Sequence, residues 1–150
     1  MRCWIGVAAG MHAAIARRDG FCAFSHGERT AVSKVLPGDR VAYYSPREGM
    51  KDGAEIRAFT AIGVVQTGDP VETELMPGAV GWIRKCAWAE THQQADIYPL
   101  LDRFSFVKNR SHWGMHFRKS LFEVPASDFA HIAEAMGVSD SDLVSLANKG

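Results

Sequence analysis

The chain has 150 residues, a formal net charge of zero, 47% hydrophobic residues and 23% charged ones. These are the proportions of one ordinary globular domain with a real core, and no apolar run approaches the roughly 20 residues that a bilayer span needs. Zero net charge excludes a uniformly basic backbone binder, so any affinity for nucleic acid must come from a local basic patch and fall with salt.

The N-terminal apolar stretch is too short and too interrupted for a secretory leader, and a cytoplasmic protein is expected. Residues 2–8 predict a short, nearly all-apolar central strand. Residues 10–18 predict a helix with Ile15 inward and Arg17-Arg18 at the end where cations suit the helix dipole. Asp19-Gly20 stops it. An irregular loop, GFCAFSHGE, carries Phe21, Phe24 and His26, and residues 28–35 give one or two helical turns before Pro37-Gly38.

Residues 39–46, DRVAYYSP, form a strand with Val41, Tyr43 and Ser45 on one face and Ala42 and Tyr44 on the other. Residues 47–54 form a loop. Residues 55–67 predict a long strand in which Gly63 marks a bulge or bend. Gly68-Asp69-Pro70 turns into a strand at 71–75, and Met76-Pro77-Gly78 turns again. Residues 80–90 then place Trp82, Arg84, Cys86 and Trp88 on one side. A helical turn at 97–101, a basic aromatic stretch at 102–119 and a strand at 121–124 follow. In the helix at 125–136, Phe129, Ile132, Ala133 and Met136 share a face. The spacing Ser139-x-x-Asp142 opens a last helix at 140–148 with a capping box. Consecutive strands that bend at glycine predict an α+β fold: a curved pseudo-barrel of five to six strands with short peripheral helices.

No catalytic pattern emerges. Cys3, Cys22 and Cys86 are odd in number and form no CxxC pair, so each reads as a small buried hydrophobe. His112 and His116 lack a third ligand in register, and neither a metal nor a cofactor is expected. There is no phosphate loop and no nucleophile elbow; Asp39, Asp102 and Asp128 sit where capping explains them.

The stretch 102–119 is more informative. It sets Phe104, Phe106, Trp113 and Phe117 among Arg103, Lys108, Arg110, Arg118 and Lys119. Rings that stack and cations that meet phosphate suit a nucleotide. Phe104 and Phe106 read better as core. Phe21, Phe24, His26, Tyr44, Ser45, Trp113 and Phe117 offer the ring faces and polar groups of an aromatic cage.

The segments Trp4-Ile5-Gly6-Val7, GFCAFSHGE, LPGDRVAYYSPRE, AFTAIGVV, RFSFVKNRSHWGMHFR and LFEVP together resemble the EVE domain, in particular its stand-alone bacterial and archaeal members. The resemblance covers about residues 2–136. It implies a PUA-like pseudo-barrel, related to the YTH domains that read N6-methyladenine, and a pocket for modified bases of DNA or RNA. The expectation is a single domain over 1–150, with 137–150 a helical extension, and a non-catalytic reader of a modified nucleobase. Phe21 and Trp113 would stack on a base from a single strand, a flipped nucleotide or a free nucleoside, Phe117 would complete the cage, and Tyr44, Ser45 and His26 would meet the base edge. Lys108, Arg110, Arg118 and Lys119 would hold phosphate. The alternatives are an enzyme acting on a nucleotide or small aromatic metabolite through His26 or His116, and a small-molecule sensor. No membrane partner is expected; the residues leave the base, the choice of DNA or RNA, and the oligomeric state open.

Overall fold

The computed structural model describes residues 1–90 and 92–149. Its strands are β1 (Cys3–Val7), β2 (Phe21–Cys22), β3 (Arg40–Arg47), β4 (Glu55–Val65), β5 (Val71–Met76), β6 (Ala79–Trp88), β7 (Ala95–Asp96) and β8 (Leu121–Val124). The helices are α1 (Gly10–Asp19), α2 (Arg29–Lys34), α3 (Ile97–Leu101), α4 (Ala126–Ala135) and α5 (Asp140–Ala147), and a 3-10 segment covers Arg110–Arg118. Beyond the expected strands, β2 and β7 are two-residue ladders that sequence patterning does not register.

The strands form one mixed sheet in the order β2-β6-β4-β3-β1-β8, with β5 on β6 and β7 on β4, curled into a half-barrel. Among the described residues only β1 and β3 pair in parallel, and the pairing is anchored by Asp39. Its buried carboxylate accepts from Arg2 N at 2.9 Å, Trp4 Nε1 at 3.0 Å and Leu36 N at 2.9 Å. The turn before it carries Gly38 at φ 91°, a conformation glycine adopts without a Cβ penalty.

Both faces of the sheet are covered, so there are two cores. Val41 and Tyr43 of β3 point into one, with Trp4, Phe24, Val32, Cys86 and Trp88, under α1 and α2. Ala42 and Tyr44 point into the other, with Phe59, Ile62, Phe104 and Phe117, under α3, α4 and α5. Full burial of a large apolar side chain such as Phe59, Ile62 or Phe129 contributes about 1.5–3 kcal/mol each. Phe129, Ile132 and Met136 close the second core as their spacing predicts.

The last helix is built into this core. Ser139 Oγ accepts from Asp142 N at 3.0 Å while Asp142 Oδ2 accepts from Ser139 N at 2.9 Å, completing the capping box. Leu143 and Leu146 are buried, and the Gln66 amide donates to Leu146 O at 3.0 Å.

Gly63 is not a bulge. It pairs in register with Val41, and a Cβ there would sit 2.4 Å from Ala87 O; the glycine lets β6 cross β4 closely. The irregularities fall elsewhere on β4. One lies between the pairs Tyr43↔Ala61 and Tyr44↔Phe59, the other between Ser45↔Ala58 and Arg47↔Glu55. Each inserts one extra residue in β4, which bends the strand and re-aims side chains.

Candidate nucleic-acid interface

Two cavities lie on opposite sides of β3 and share Val7, Pro46 and Phe117 as a common wall. The first, about 390 Å³, lies between α1, the loop after β2 and the end of the 3-10 segment. Its walls are mainly apolar: Phe21, Phe24, Tyr43 and Phe117 supply rings, and Met50, Leu75 and Met76 add aliphatic surface. Its polar atoms come from His12, Ser25, His26, Arg118 and Ser120.

The loop that supplies Ser25 and His26 is held in an unusual conformation. Ser25 (φ 53°), His26 (φ 60°) and Gly27 (φ 83°) are consecutive left-handed residues. Such a conformation costs a non-glycine residue about 1–2 kcal/mol and persists only where its surroundings enforce it. Here they do. Gly27 packs backbone to backbone on Gly81, its carbonyl accepts from Trp82 N at 2.8 Å, and Ser25 Oγ is hydrogen-bonded to Ser120 Oγ. Before the loop, the Tyr43 hydroxyl donates to Ala23 O at 2.7 Å and accepts from Ala23 N at 3.0 Å. Phe24 lies over Gly6, where a Cβ would meet its ring at 2.7 Å. The imidazole of His12, in the first turn of α1, is held below its ordinary 6.5 by burial and then by His26 nearby. It is therefore a neutral donor or acceptor at physiological pH.

The second cavity, about 420 Å³ and more open to solvent, is lined by Tyr44, Arg57, Tyr98, Trp113 and Gly114 besides the shared wall. Arg57 stands at φ 49° beside the second bulge of β4, and its Nη1 donates to the Tyr98 hydroxyl at 2.5 Å. Trp113 meets Tyr44, Tyr98 and Phe117 edge to face.

The residues singled out from the sequence are thus divided. Phe21, His26 and Phe117 line the first cavity; Tyr44, Trp113 and again Phe117 line the second. Phe21, Tyr44 and Trp113 do not share one pocket, because Tyr43 and Tyr44 alternate across the sheet and it is Tyr43 that faces Phe21. Ser45 lines neither: it is fully buried, with its Oγ 2.7 Å from Thr60 Oγ1. Arg118 borders the first cavity, Arg110 is paired with Asp102 at 2.6 Å, and Lys108 and Lys119 are exposed without an ion pair among the described residues. His12, Tyr43, Arg57 and Tyr98 were not singled out. The one signal available for Tyr43 was the same alternation that marked Tyr44.

The EVE domain profile matches residues 2–135. The chain belongs to the EVE domain family. Among relatives of this EVE domain, the UPF0310 protein msl3206 of Mesorhizobium japonicum is 44% identical over 138 residues, covering 89% of this chain and 91% of its own. The UPF0310 protein YdcG of Bacillus subtilis is 34% identical over 140 residues, covering 93% and 95%. Two solved structures share the fold at low identity. One is the NMR structure of Rpa0253 from Rhodopseudomonas palustris (TM-score 0.56, 11% identity, 91% of this chain and 94% of that one). The other is the crystal structure of Atu2648 from Agrobacterium tumefaciens (TM-score 0.55, 15% identity, 93% and 96%). The EVE profile ends before α5, whose apolar side is nonetheless part of this domain's core. No helix among the described residues is long and apolar enough to cross a membrane.

Proposed function

We propose that this EVE domain is a non-catalytic reader that takes an unstacked, modified nucleobase of DNA or RNA into the first cavity. The observation that carries the reading is the cavity itself. A ring-walled space of about 390 Å³ has its polar groups, His12, Ser25 and His26, on a helix end and on a loop clamped in a left-handed conformation. That size is at the low end for small-molecule sites and admits a base or nucleoside but no duplex. The base must therefore come from a single strand or be flipped.

The side chains divide the work as their chemistry allows. Phe21 and Phe117 offer ring surface to the base, and His12, Ser25 and His26 offer donors and acceptors to its edge. Arg118, with Lys119 and Lys108 further out, meets phosphate. Burying one added methyl contributes only about 0.8 kcal/mol. Sharper selection comes from leaving a polar atom unpaired with the wrong base.

The cavity favours binding over chemistry. Among the described residues no aspartate or glutamate lines it, so neither His12 nor His26 has a carboxylate there to orient it as an acid or base. The test is a titration of modified and unmodified nucleosides and short single strands into the protein. One modified base should bind more tightly than its parent, and Phe21→Ala should weaken it about 5- to 150-fold. Turnover of any of these probes, or equal affinity for every base, overturns the reading.

A further inference from the structure

The second cavity is not needed to hold one base, yet it has its own chemistry. Tyr44 is 3% exposed, and its hydroxyl makes no hydrogen bond among the described residues. Since no buried polar side-chain atom among them goes unpartnered, that hydroxyl is the part of Tyr44 that opens to the cavity. Burial pushes its pKa up to about 12, so it is a neutral donor.

Arg57 faces the same space from a left-handed position beside the bulge. A guanidinium has five N–H donors. Here Nη1 is used by Tyr98, and Nη2 meets Glu55 at 3.3 Å in an exposed, and therefore weak, ion pair. The remaining donors are available to an acceptor. Tyr98, 38% exposed, and half-buried Trp113 meet at 80°, forming an aromatic corner next to that cation. Ring faces, a cation and a phenolic donor at one place fit a base with its attached phosphate.

The two cavities are neighbours across the Val7–Pro46–Phe117 wall. We propose that the second cavity is a subsite for the nucleotide adjoining the one read in the first, with its base against Tyr98 and Trp113 and a phosphate oxygen on Arg57 and the Tyr44 hydroxyl. This rests on the function proposed above.

The test uses five-residue single strands, DNA and RNA, each with one central methylated or hydroxymethylated base, and the matching free nucleosides. They are titrated into the full chain and its Phe21→Ala and Tyr98→Ala variants. The wild type should bind the strand more tightly than the nucleoside. Tyr98→Ala, at an exposed position that leaves the core intact, should weaken the strand about 5- to 150-fold and leave the nucleoside unchanged. Phe21→Ala should weaken both. Strand affinity unchanged in Tyr98→Ala, or a wild type that binds nucleoside and strand equally, overturns the subsite alone. A wild type that binds neither probe overturns the function proposed above and the subsite with it.

Discussion

Tyr43 and Tyr44 are adjacent residues of β3 with nearly equal burial, 2% and 3% exposed, yet their hydroxyls differ in kind. That of Tyr43 is saturated by both backbone groups of Ala23 and so fixes the approach to the Ser25–His26 loop. That of Tyr44 has no partner among the described residues. The first cavity is therefore a shaped apolar space whose polar atoms are clamped. The second is an aromatic corner whose Tyr44 phenol has no partner among the described residues and whose cation, held by Tyr98 and Glu55, still has donors to spare. All three non-glycine residues with positive φ among those described, Ser25, His26 and Arg57, line one cavity or the other. Backbone strain of this sort collects where a side chain must be aimed. One strand serves both faces, and hydrogen-bond completion is what separates the two tyrosines.

The sharpest way to break the comparison is through a glycine on each side. A Cβ at Gly27 would lie 2.7 Å from Gly81 Cα, and the residue stands at φ 83°. The left-handed cost of about 1–2 kcal/mol and overpacking of about 1–3 kcal/mol together make Gly27→Ala roughly 2–5 kcal/mol less stable. Its thermal midpoint should fall by roughly 4–20 °C. Gly114, beside the second cavity, has nothing within 4 Å of an added Cβ, so Gly114→Ala should leave the midpoint unmoved. Equal effects in a melting experiment would show that the loop is not clamped.

The tyrosines give the next largest difference. Tyr43→Phe strands the part-buried amide and carbonyl of Ala23 and should cost about 1–3 kcal/mol. Tyr44→Phe removes a hydroxyl with no partner among the described residues and should change stability by less than about 0.5 kcal/mol. It should weaken single-strand binding nevertheless. Denaturant titration and binding measured on the same two variants decide it.

This pair also shows how far the sequence could be read. Alternation along DRVAYYSP places neighbours on opposite faces, and so it does. It cannot say which face meets which loop, and with both faces buried, hydrophobicity does not break the tie. The strands and helices were legible because their periodicities are local. The cavities are assembled from separated segments, so nothing local marks His12, Arg57 or Tyr98. The bulge at Thr60 has no glycine or proline to announce it and delivers Ser45 to Thr60 rather than to a pocket; the one near Arg57 lies opposite Pro46, which reads in the sequence only as the end of β3. The i, i+4 spacing of His112 and His116 presumes an α-helix, whereas that segment is 3-10 and leaves helical geometry at His112. The family resemblance supplied what periodicity could not, namely the closure of these elements into one half-barrel.

A smaller effect separates the cavities by pH. Burial, then His26, lowers the His12 pKa; burial, then Arg17, lowers that of His92, outside both cavities. In each case the unfolded chain takes up a proton more readily than the folded one. Stability is thus full above about pH 6.5 and is lost as pH falls below it through the lowered folded values. The thermal midpoint should decline between about pH 7.5 and 5.5, and His12→Gln should remove part of the slope. In the second cavity Tyr44, at about 12, and Arg57, raised by its bond to Tyr98, keep their charge states over this range. The Tyr98→Ala penalty on strand binding should therefore be flat with pH, while nucleoside affinity at His12 varies. A midpoint that rises on acidification would contradict the sign.

The smallest effect on stability is the most discriminating for the second cavity. Arg57 adopts φ 49°, which costs an L-residue about 1–2 kcal/mol. Arg57→Gly removes that cost and adds about 0.5–1 kcal/mol of glycine chain entropy. It also gives up the contact with Tyr98 and a surface ion pair with Glu55 that is worth little. The terms nearly cancel, so the thermal midpoint should stay within a few degrees of wild type. If the guanidinium meets a phosphate, single-strand affinity should drop and the log–log salt slope should shrink by about 0.7, the share of one phosphate on a single strand. Arg57→Lys keeps the charge and the backbone strain, and should keep the slope. A left-handed arginine retained where glycine would serve the chain equally well is what a binding role predicts. A large loss of stability in Arg57→Gly with an unchanged salt slope would instead make Arg57 a strut for Tyr98.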